Sequence, residues 1–252
     1  MKIVATHSFR GGSGKTFIAL NIAAASARAG FKTIVMDCDF VSPSFQSNIQ
    51  VKSSQKNSGN DFLLGKCKET EVISQTTIPN LNVIFGDPKP VLGQGLLEPV
   101  EETHWKALQR FSQLRESLEK QGYQRFILDT SPNLSYNSAS ALTVADSIVL
   151  VHRPVIHSLD LAIYILQTIY TTLKKSLKPR SFYLIFNQVP HGSPEEVKKL
   201  LENLTIEIQK HIEIKVLDSI PLDLEMDFWN SLLILEDSQT HNKIINMTKK
   251  IF

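Results

Sequence analysis

A glycine-rich run near the start of the chain has the residue types and spacing of a phosphate-binding loop: Gly11-Gly12-Ser13-Gly14-Lys15-Thr16. Glycines let a backbone curl until several N–H groups point inward, and a helix starting behind the loop adds the positive end of its dipole. In such a loop Lys15 reaches the β- and γ-phosphates and the Thr16 hydroxyl binds Mg²⁺. A glycine turn that only joins a strand to a helix is the alternative, and Gly-Lys-Thr in this context disfavours it.

Three further acids follow apolar, strand-like segments. The segment Thr33–Met36 is followed by Asp37 and Asp39, and Arg125–Leu128 is followed by Asp129. Ligands of parallel α/β sheets bind beyond the carboxyl ends of the strands, so we expect these acids near the phosphates. A carboxylate closing such a strand reaches Mg²⁺ directly or through water. The alternative, stronger for Asp37 than for Asp39, is a pair of solvated carboxylates at a strand end.

The elements that must position these residues alternate between two patterns. Short apolar, β-branched runs predict strands at Ile3–Thr6, Thr33–Met36, Asn82–Phe85, Arg125–Leu128, Ser147–Val151, Phe182–Phe186 and Lys215–Leu217. Segments of helical period lie near Phe17–Ala29, Glu101–Lys120, Ser138–Ala145, Ser158–Leu173, Glu195–Lys210 and Asn242–Ile251. This alternation is typical of βαβ units around a parallel sheet.

The predicted fold is therefore α/β: one domain over residues 1–252, with a mostly parallel twisted sheet flanked by helices on both faces. No internal repeat or low-complexity linker divides the chain. Residues Val41–Asn80 show no clear period, which predicts a long irregular segment, and such segments inside compact domains are often functional.

Composition excludes several classes of protein. With 42% hydrophobic and 21% charged residues, the chain is not a disordered, collagen-like or coiled-coil protein. A net charge of +2 does not mark the whole surface as a nucleic-acid binder. The two cysteines, Cys38 and Cys67, form neither a CxxC pair nor a disulfide framework, and no signal peptide is visible. These features predict a cytoplasmic location.

With Arg10, the loop reads Arg-Gly-Gly-x-Gly-Lys-Thr, and Phe9 stands where the ordinary pattern has glycine. This resembles the deviant Walker A loop of the ParA/MinD family of P-loop ATPases, whose pattern is Lys-Gly-Gly-x-Gly-Lys-Ser/Thr. In that family the first lysine, the signature lysine, crosses a dimer interface to the partner's nucleotide. Arg10 occupies its place and keeps its charge. Two hypotheses follow: the contact across the dimer survives in a finger-like form, or it has been lost.

The resemblance implies roles for other residues. Asp-x-Asp at Asp37–Asp39 looks like the family's switch I, in which the second acid, Asp39, positions the attacking water. The sequence Asp-Thr-Ser-Pro at Asp129–Pro132 is similar to its switch II. The implied catalytic residues are Lys15, Asp39 and Arg10, and the implied magnesium ligands are Thr16, Asp129 and Asp39. The loop residues Gly11, Gly12, Ser13, Gly14, Lys15 and Thr16 would bind the phosphates.

The same resemblance implies a base-binding end of the site. Asn187 stands where the family places an asparagine that hydrogen-bonds adenine, and Pro221 lies in an Ile-Pro segment beside the base. An asparagine that ends a strand is equally ordinary turn chemistry. Ser131 and Asn133 either report the γ-phosphate to the next helix or simply form a turn.

The implied function is an ATPase, with ATP/ADP and Mg²⁺ as cofactors, that forms an ATP-sandwich homodimer and releases it on hydrolysis. This cycle would position or partition a cargo, with an activating or cargo-adaptor partner. The alternative is a nucleotide-gated scaffold with little or no hydrolysis; a ligase or transferase on this fold is a third reading. Nonspecific DNA is a further candidate partner, through a basic cluster at Lys174, Lys175, Lys178 and Arg180. A solvated helix end is the favoured alternative for this cluster, because cations stabilise helix C-termini. A membrane surface, through the C-terminal helix, is less favoured than docking of that helix on the domain.

Overall fold

A nine-stranded sheet forms the centre of the computed structural model, which describes residues 1–8, 10–88, 100–132, 136–154, 163, 164, 167, 168, 171, 180–223 and 239–252. The strands are β1 Lys2–His7, β2 Thr33–Cys38, β3 Val51–Ser53, β4 Ile73–Thr76, β5 Leu81–Ile84, β6 Arg125–Thr130, β7 Ser147–His152, β8 Ser181–Val189 and β9 Lys215–Pro221. Their order across the sheet is β3-β4-β5-β2-β6-β1-β7-β8-β9.

Seven neighbouring strands, from β5 to β9 across the sheet, are parallel. Strand β4 is antiparallel to both β3 and β5 at one edge. Because parallel strands end at the same edge of a sheet, the residues that follow β1, β2, β6, β7, β8 and β9 are brought to one side of the molecule. This is the edge on which the sequence places its loop and its acids.

Helices cover both faces of the sheet. The described helices are α1 Lys15–Arg28, α2 Phe45–Asn48, α3 Gly59–Leu63, α4 Val100–Lys120, α5 Tyr136–Val144, α6 Pro194–Gln209 and α7 Gln239–Ile251. Strand β1 illustrates the arrangement, because successive side chains of a strand point to opposite faces. Ile3 and Ala5 pack in the core with α4, α5 and α6, whereas Val4 packs with α1 and α7. The predicted fold class is confirmed.

All seven predicted strands are present, most of them longer than predicted. The prediction of an irregular Val41–Asn80 segment is wrong, because this stretch contains α2, β3, α3 and β4. These elements are only three to five residues long, too short to display a period. A local signal was nevertheless present for α3, where Ser58 and Asp61 form a reciprocal capping box. The predicted helix Ser158–Leu173 lies almost entirely outside the described residues.

The C-terminal helix α7 is docked on the domain. Its apolar side chains Ile244, Met247 and Ile251 are buried, and it packs against α1. Lys243 joins the helix to β9, where it donates to the Ser219 carbonyl (2.6 Å) and pairs with Asp218 (3.3 Å). The apolar stripe is therefore used inside the protein rather than presented to lipid. In the part of the chain that the structure describes, no helix has the length and apolarity needed to span a bilayer.

Candidate functional site

The glycine loop lies between β1 and α1, as the sequence predicts. Gly12 and Gly14 have φ of +76° and +80°, in the left-handed region that glycine adopts without strain. Gly14 is the N-cap of α1, and a Cβ at this position would overlap Nδ2 of Asn187. The loop therefore needs glycine at position 14 for two separate reasons, its backbone conformation and the close approach of β8.

Helix α1 begins without a side-chain cap, unlike two other helices of the protein. Ser58 and Ser193 cap α3 and α6 through their hydroxyls. At the start of α1 no described side chain accepts from the backbone, and the first turn contains no acidic residue. The first N–H groups of a helix have no partner inside the helix and carry the positive end of its dipole. The start of α1 is therefore suited to bind an anion.

Behind the loop, three side chains converge on Asp129 at the end of β6. Nζ of Lys15 lies 2.7 Å from Oδ1, and Oγ1 of Thr16 donates to Oδ2 at 2.7 Å. Thr6, the register neighbour of Asp129 on β1, donates to Oδ1 at 3.0 Å. Lys15 and Asp129 are both buried. A buried ion pair is tolerable when further hydrogen bonds satisfy both partners, as Thr6 and Thr16 do for the carboxylate here.

The Thr16 and Asp129 oxygens fit a magnesium site. Mg²⁺ prefers hard oxygen ligands and in nucleotide sites takes only one or two protein ligands, the rest being water and phosphate. The described residues contain no group of three or more His, Cys, Asp or Glu side chains that could hold a metal by themselves. The donor set therefore suits a metal shared with a bound phosphate and not a cage built from protein alone.

Asp37 is buried, which corrects the solvated-carboxylate alternative for this residue. Oδ2 accepts from the backbone N–H groups of Ser44 (2.9 Å) and Phe45 (3.2 Å), and Oδ1 accepts from that of Asp39 (3.0 Å). Burial, together with the negative charge of Asp129, raises the pKa of Asp37 to about 7 although these three hydrogen bonds favour the ionised form. Its contacts give Asp37 the role of holding the loop after β2 in place.

Asp39 differs from Asp37, because its side chain is partly exposed and faces the cleft in front of the loop. Its Oδ1 accepts from the Ser42 N–H at 3.1 Å, which leaves Oδ2 free of a described partner. The two acids of this stretch therefore differ in role. Asp37 hydrogen-bonds to the backbone of the following loop, whereas Asp39 is available to a ligand or a water molecule.

The cleft has a volume of about 780 Å³ and runs across the carboxyl ends of the strands. One end is lined by the glycine loop and Asp39, and the other by residues at or just beyond the carboxyl ends of β8 and β9, including Asn187, Pro221 and Asp223. Asn187 is buried, and its Nδ2 donates to the Ser13 carbonyl at 2.8 Å. It therefore braces the loop in addition to lining the cleft. The volume lies within the range of ordinary small-molecule sites.

The predicted site residues are brought together: Arg10, Gly11, Gly12, Ser13, Gly14, Lys15, Thr16, Asp39, Asn187 and Pro221 all line the cleft, and Asp129 lies directly beneath it. Sequence reasoning missed Arg153 and Gln188, which also line the cleft. Their only signal was a position just after a predicted strand of the parallel sheet. Phe9, Asn133, Lys174, Lys175 and Lys178 lie outside the described residues.

Two histidines beside the site are held neutral, and neither was predicted. His7 ends β1, with Nδ1 2.7 Å from the Thr130 hydroxyl. Burial, with the charge of Lys15, lowers the pKa of His7 to about 3. His152 ends β7, and burial together with the charge of Arg10 lowers its pKa to about 4. A desolvated imidazole near a fixed cation resists protonation, so neither residue adds positive charge at neutral pH.

Comparison with known proteins agrees with this geometry. A family model described as an AAA domain (AAA_31) matches residues 1–180. The chromosome partitioning protein ParA of Caulobacter vibrioides is 24% identical over 225 residues, covering 87% of this chain and 80% of that protein. The septum site-determining protein MinD of Pyrococcus horikoshii, solved with Mg-ADP, superposes with a TM-score of 0.70 at 19% identity over 99% of this chain and 95% of that one. An ATP complex of Cyanothece McdA gives a TM-score of 0.78 at 14% identity over 100% and 95%.

The site consists of a strand, a glycine loop and a helix without a side-chain cap. The lysine and threonine after the loop contact a buried aspartate of the neighbouring strand. This arrangement defines a P-loop nucleotide-binding protein. The chain belongs to the AAA domain family, whose model covers well over half of it, and within that family to the ParA/MinD group of P-loop ATPases.

Proposed function

We propose that this chain is an Mg²⁺-dependent, ATP-binding and ATP-hydrolysing switch. The observation that carries the proposal is the convergence of Lys15 and Thr16 on buried Asp129 behind a helix N-terminus that no described side chain caps. That arrangement leaves backbone N–H groups, an ammonium and two hard oxygens facing one place, as a phosphate–magnesium ligand requires. The nucleotide and metal in the solved relatives support the same ligand pair.

In this proposal, Gly11–Gly14 and the start of α1 bind the phosphate oxygens through backbone N–H groups. Lys15 moves its ammonium from Asp129 toward the β- and γ-phosphates, and Thr16 and Asp129 hold the magnesium ion, with Asp39 as a further candidate ligand. When bound, magnesium neutralises charge on the phosphates. Asn187 and Pro221 line the base-binding end.

Hydrolysis needs a residue that orients water, and Asp39 is the candidate in the cleft. Its Oδ2 has no described partner, while its Oδ1 is fixed by the Ser42 N–H. Asp37 is unsuited to this task because its oxygens accept hydrogen bonds from three backbone N–H groups of the following loop. We assign to Asp39 the positioning of water and to Asp37 the positioning of Asp39.

At the level of the cell, we propose that ATP binding favours a homodimer and that hydrolysis releases it, so that the cycle positions or partitions a cargo. The relationship to ParA and MinD supports this reading. Physically, the γ-phosphate acts as a ligand that selects one of two arrangements of the loops after β2 and β6. Arg10 is exposed at the mouth of the cleft, where it is available to the nucleotide of a second copy.

The decisive experiment is hydrolysis and ATP binding by the purified chain and three variants. Lys15→Ala is expected to lower ATP affinity and turnover at least 100-fold, whereas the exposed Lys199→Ala on α6 changes neither. Asp39→Asn is expected to keep ATP binding and lose most of its turnover. Equal turnover of Asp39→Asn and the unmutated chain would favour the nucleotide-gated scaffold instead. Absence of ATP binding at millimolar nucleotide with Mg²⁺ would refute both.

A further inference from the structure

The residue that follows β7 places a second guanidinium in the cleft. Arg153 lines the cleft together with Arg10 and the glycine loop. Strand β7 is the direct neighbour of β1, with Leu150 in register with His7. The chain therefore leaves β7 beside the point where the loop leaves β1. Arg153 also precedes Pro154, and a residue before proline is restricted to extended backbone, which fixes the direction of the chain there.

Neither guanidinium is paired with another described side chain. Arg10 and Arg153 are exposed, and among the residues that the structure describes neither side chain has a hydrogen-bond or ion-pair partner. Lys15, by contrast, is already paired with Asp129. The imidazole of His152, next to Arg153, is partly buried and packs edge-on against Phe186 with ring centroids 6.3 Å apart. Its pKa is lowered to about 4, so it is neutral at pH 7 and adds no positive charge beside the two guanidinium groups.

Two cations of the cleft lining are left for a ligand. The described charged residues of the lining are Arg10, Lys15, Arg153, Asp39 and Asp223, and Lys15 is already paired with Asp129. The two guanidinium groups are therefore the cations that an anionic ligand in the cleft can bind. Guanidinium groups are suited to phosphate because their planar fork can bind two of its oxygens at once.

From this placement we propose that Arg153 binds the phosphate chain of the nucleotide held by the same subunit, as a second cation beside Lys15. The proposal deepens the proposed function and rests on it. It assigns to Arg153 an affinity role that depends on the number of phosphates, while Asp39 keeps the role of positioning water. Arg10 remains available to the nucleotide of a second copy.

The test is calorimetric binding of ATP, inorganic triphosphate and adenosine, at protein concentrations where sizing shows a monomer. Arg153→Gln is expected to weaken ATP and triphosphate binding about tenfold, as loss of one charge-assisted contact does, and to leave adenosine binding unchanged. Arg153→Lys keeps the charge but not the planar fork, so its ATP affinity should lie between those of Arg153→Gln and the unmutated chain. The matched control is Arg28→Gln, because Arg28 is exposed at the opposite end of α1, about 20 Å from its start.

Three results would overturn the assignment. If Arg153→Gln binds ATP as tightly as the unmutated chain, Arg153 does not contact the phosphates, and the proposed function is unaffected. Equal weakening of ATP and adenosine would place the effect on the base or the fold. A loss seen only in the ATP-bound dimer would place Arg153 on the partner's nucleotide. Failure of the unmutated chain to bind ATP or triphosphate would refute the proposed function itself, a different outcome from the first three.

Discussion

The cleft has a floor and a rim that differ in how their charges are satisfied. The floor consists of Thr6, Lys15, Thr16 and Asp129, whose polar atoms are hydrogen-bonded to one another, all but Thr16 being buried. The rim consists of Arg10 and Arg153, which are exposed and contact no described acid. A buried charge must find its partner inside the protein, whereas an exposed charge is satisfied by water. The floor is therefore assembled before any ligand arrives, and the rim acquires partners only when an anion binds.

The largest expected effect comes from breaking the floor. Asp129→Ala leaves the Lys15 ammonium buried without its carboxylate, and removing one partner of a buried pair costs about 3 kcal/mol or more. We expect the free energy of unfolding to fall by this amount in urea denaturation, and Mg²⁺ to lose its effect on ATP affinity. Arg10→Ala, on the rim, is expected to change stability by less than about 0.5 kcal/mol.

A double-mutant cycle sharpens the contrast. Lys15→Ala alone leaves Asp129 with its two threonine donors. The double variant, Lys15→Ala with Asp129→Ala, contains neither charge and therefore leaves no buried ion unpaired. The double variant is therefore expected to be more stable than the sum of the single losses predicts, with a coupling energy of at least about 1 kcal/mol. Additive losses would mean that Lys15 and Asp129 do not depend on each other in solution.

The two regions also differ in how far the sequence predicts them. Lys15 and Thr16 were identified from the glycine-rich loop motif and Asp129 from closing an apolar strand, and the parallel sheet then fixes where they meet. Asp37 was misread, because its burial depends on the loop that folds back so that Ser44 and Phe45 donate to it. Arg153 carries no motif, so its place in the cleft follows only from β7 lying next to β1. Short-range patterns predicted the strands, but long-range pairing decided which side chains share the cleft.

The next largest effect is expected at Gly14, where the loop meets β8. Gly14→Ala forces a non-glycine residue to a φ of +80° and places its Cβ against Nδ2 of Asn187. Gly30 is the matched control, since its φ is +90° but no atom lies within 4 Å of an added Cβ. Gly30→Ala therefore measures the cost of left-handed backbone alone, about 1 kcal/mol. We expect Gly14→Ala to cost at least twice as much and to lower ATP affinity, by denaturant unfolding and calorimetry. Equal costs would show that Asn187 moves aside freely.

His7, which follows Thr6 of the floor in β1, gives a smaller and pH-dependent test. Its pKa of about 3 in the folded chain lies below the ordinary value of 6.5, so the unfolded chain binds the proton first as pH falls. His7 therefore destabilises the protein on acidification below pH 6.5, and between pH 6 and pH 5 its contribution is a loss of about 1 kcal/mol. Asp37 acts in the opposite sense in this window, because its raised pKa makes the folded chain the stronger proton binder. Comparison of the unmutated chain with His7→Asn isolates the histidine. Identical pH dependences would show that His7 titrates normally.

The smallest effect is expected where the base-binding end touches the loop. Asn187→Ala removes the hydrogen bond from Nδ2 to the Ser13 carbonyl and should cost about 1 kcal/mol, the ordinary net value of such a bond. Asn82→Ala, which removes a longer amide-to-carbonyl bond to Ser74 (3.4 Å) away from the cleft, is the control. An alanine Cβ at position 14 would overlap the Asn187 side chain. Adding Asn187→Ala to Gly14→Ala should therefore recover part of the lost stability. The remaining cost of the alanine at position 14 should equal the cost measured for Gly30→Ala. Recovery would locate the penalty at this one contact, and a full additive loss would place it in the backbone of the loop.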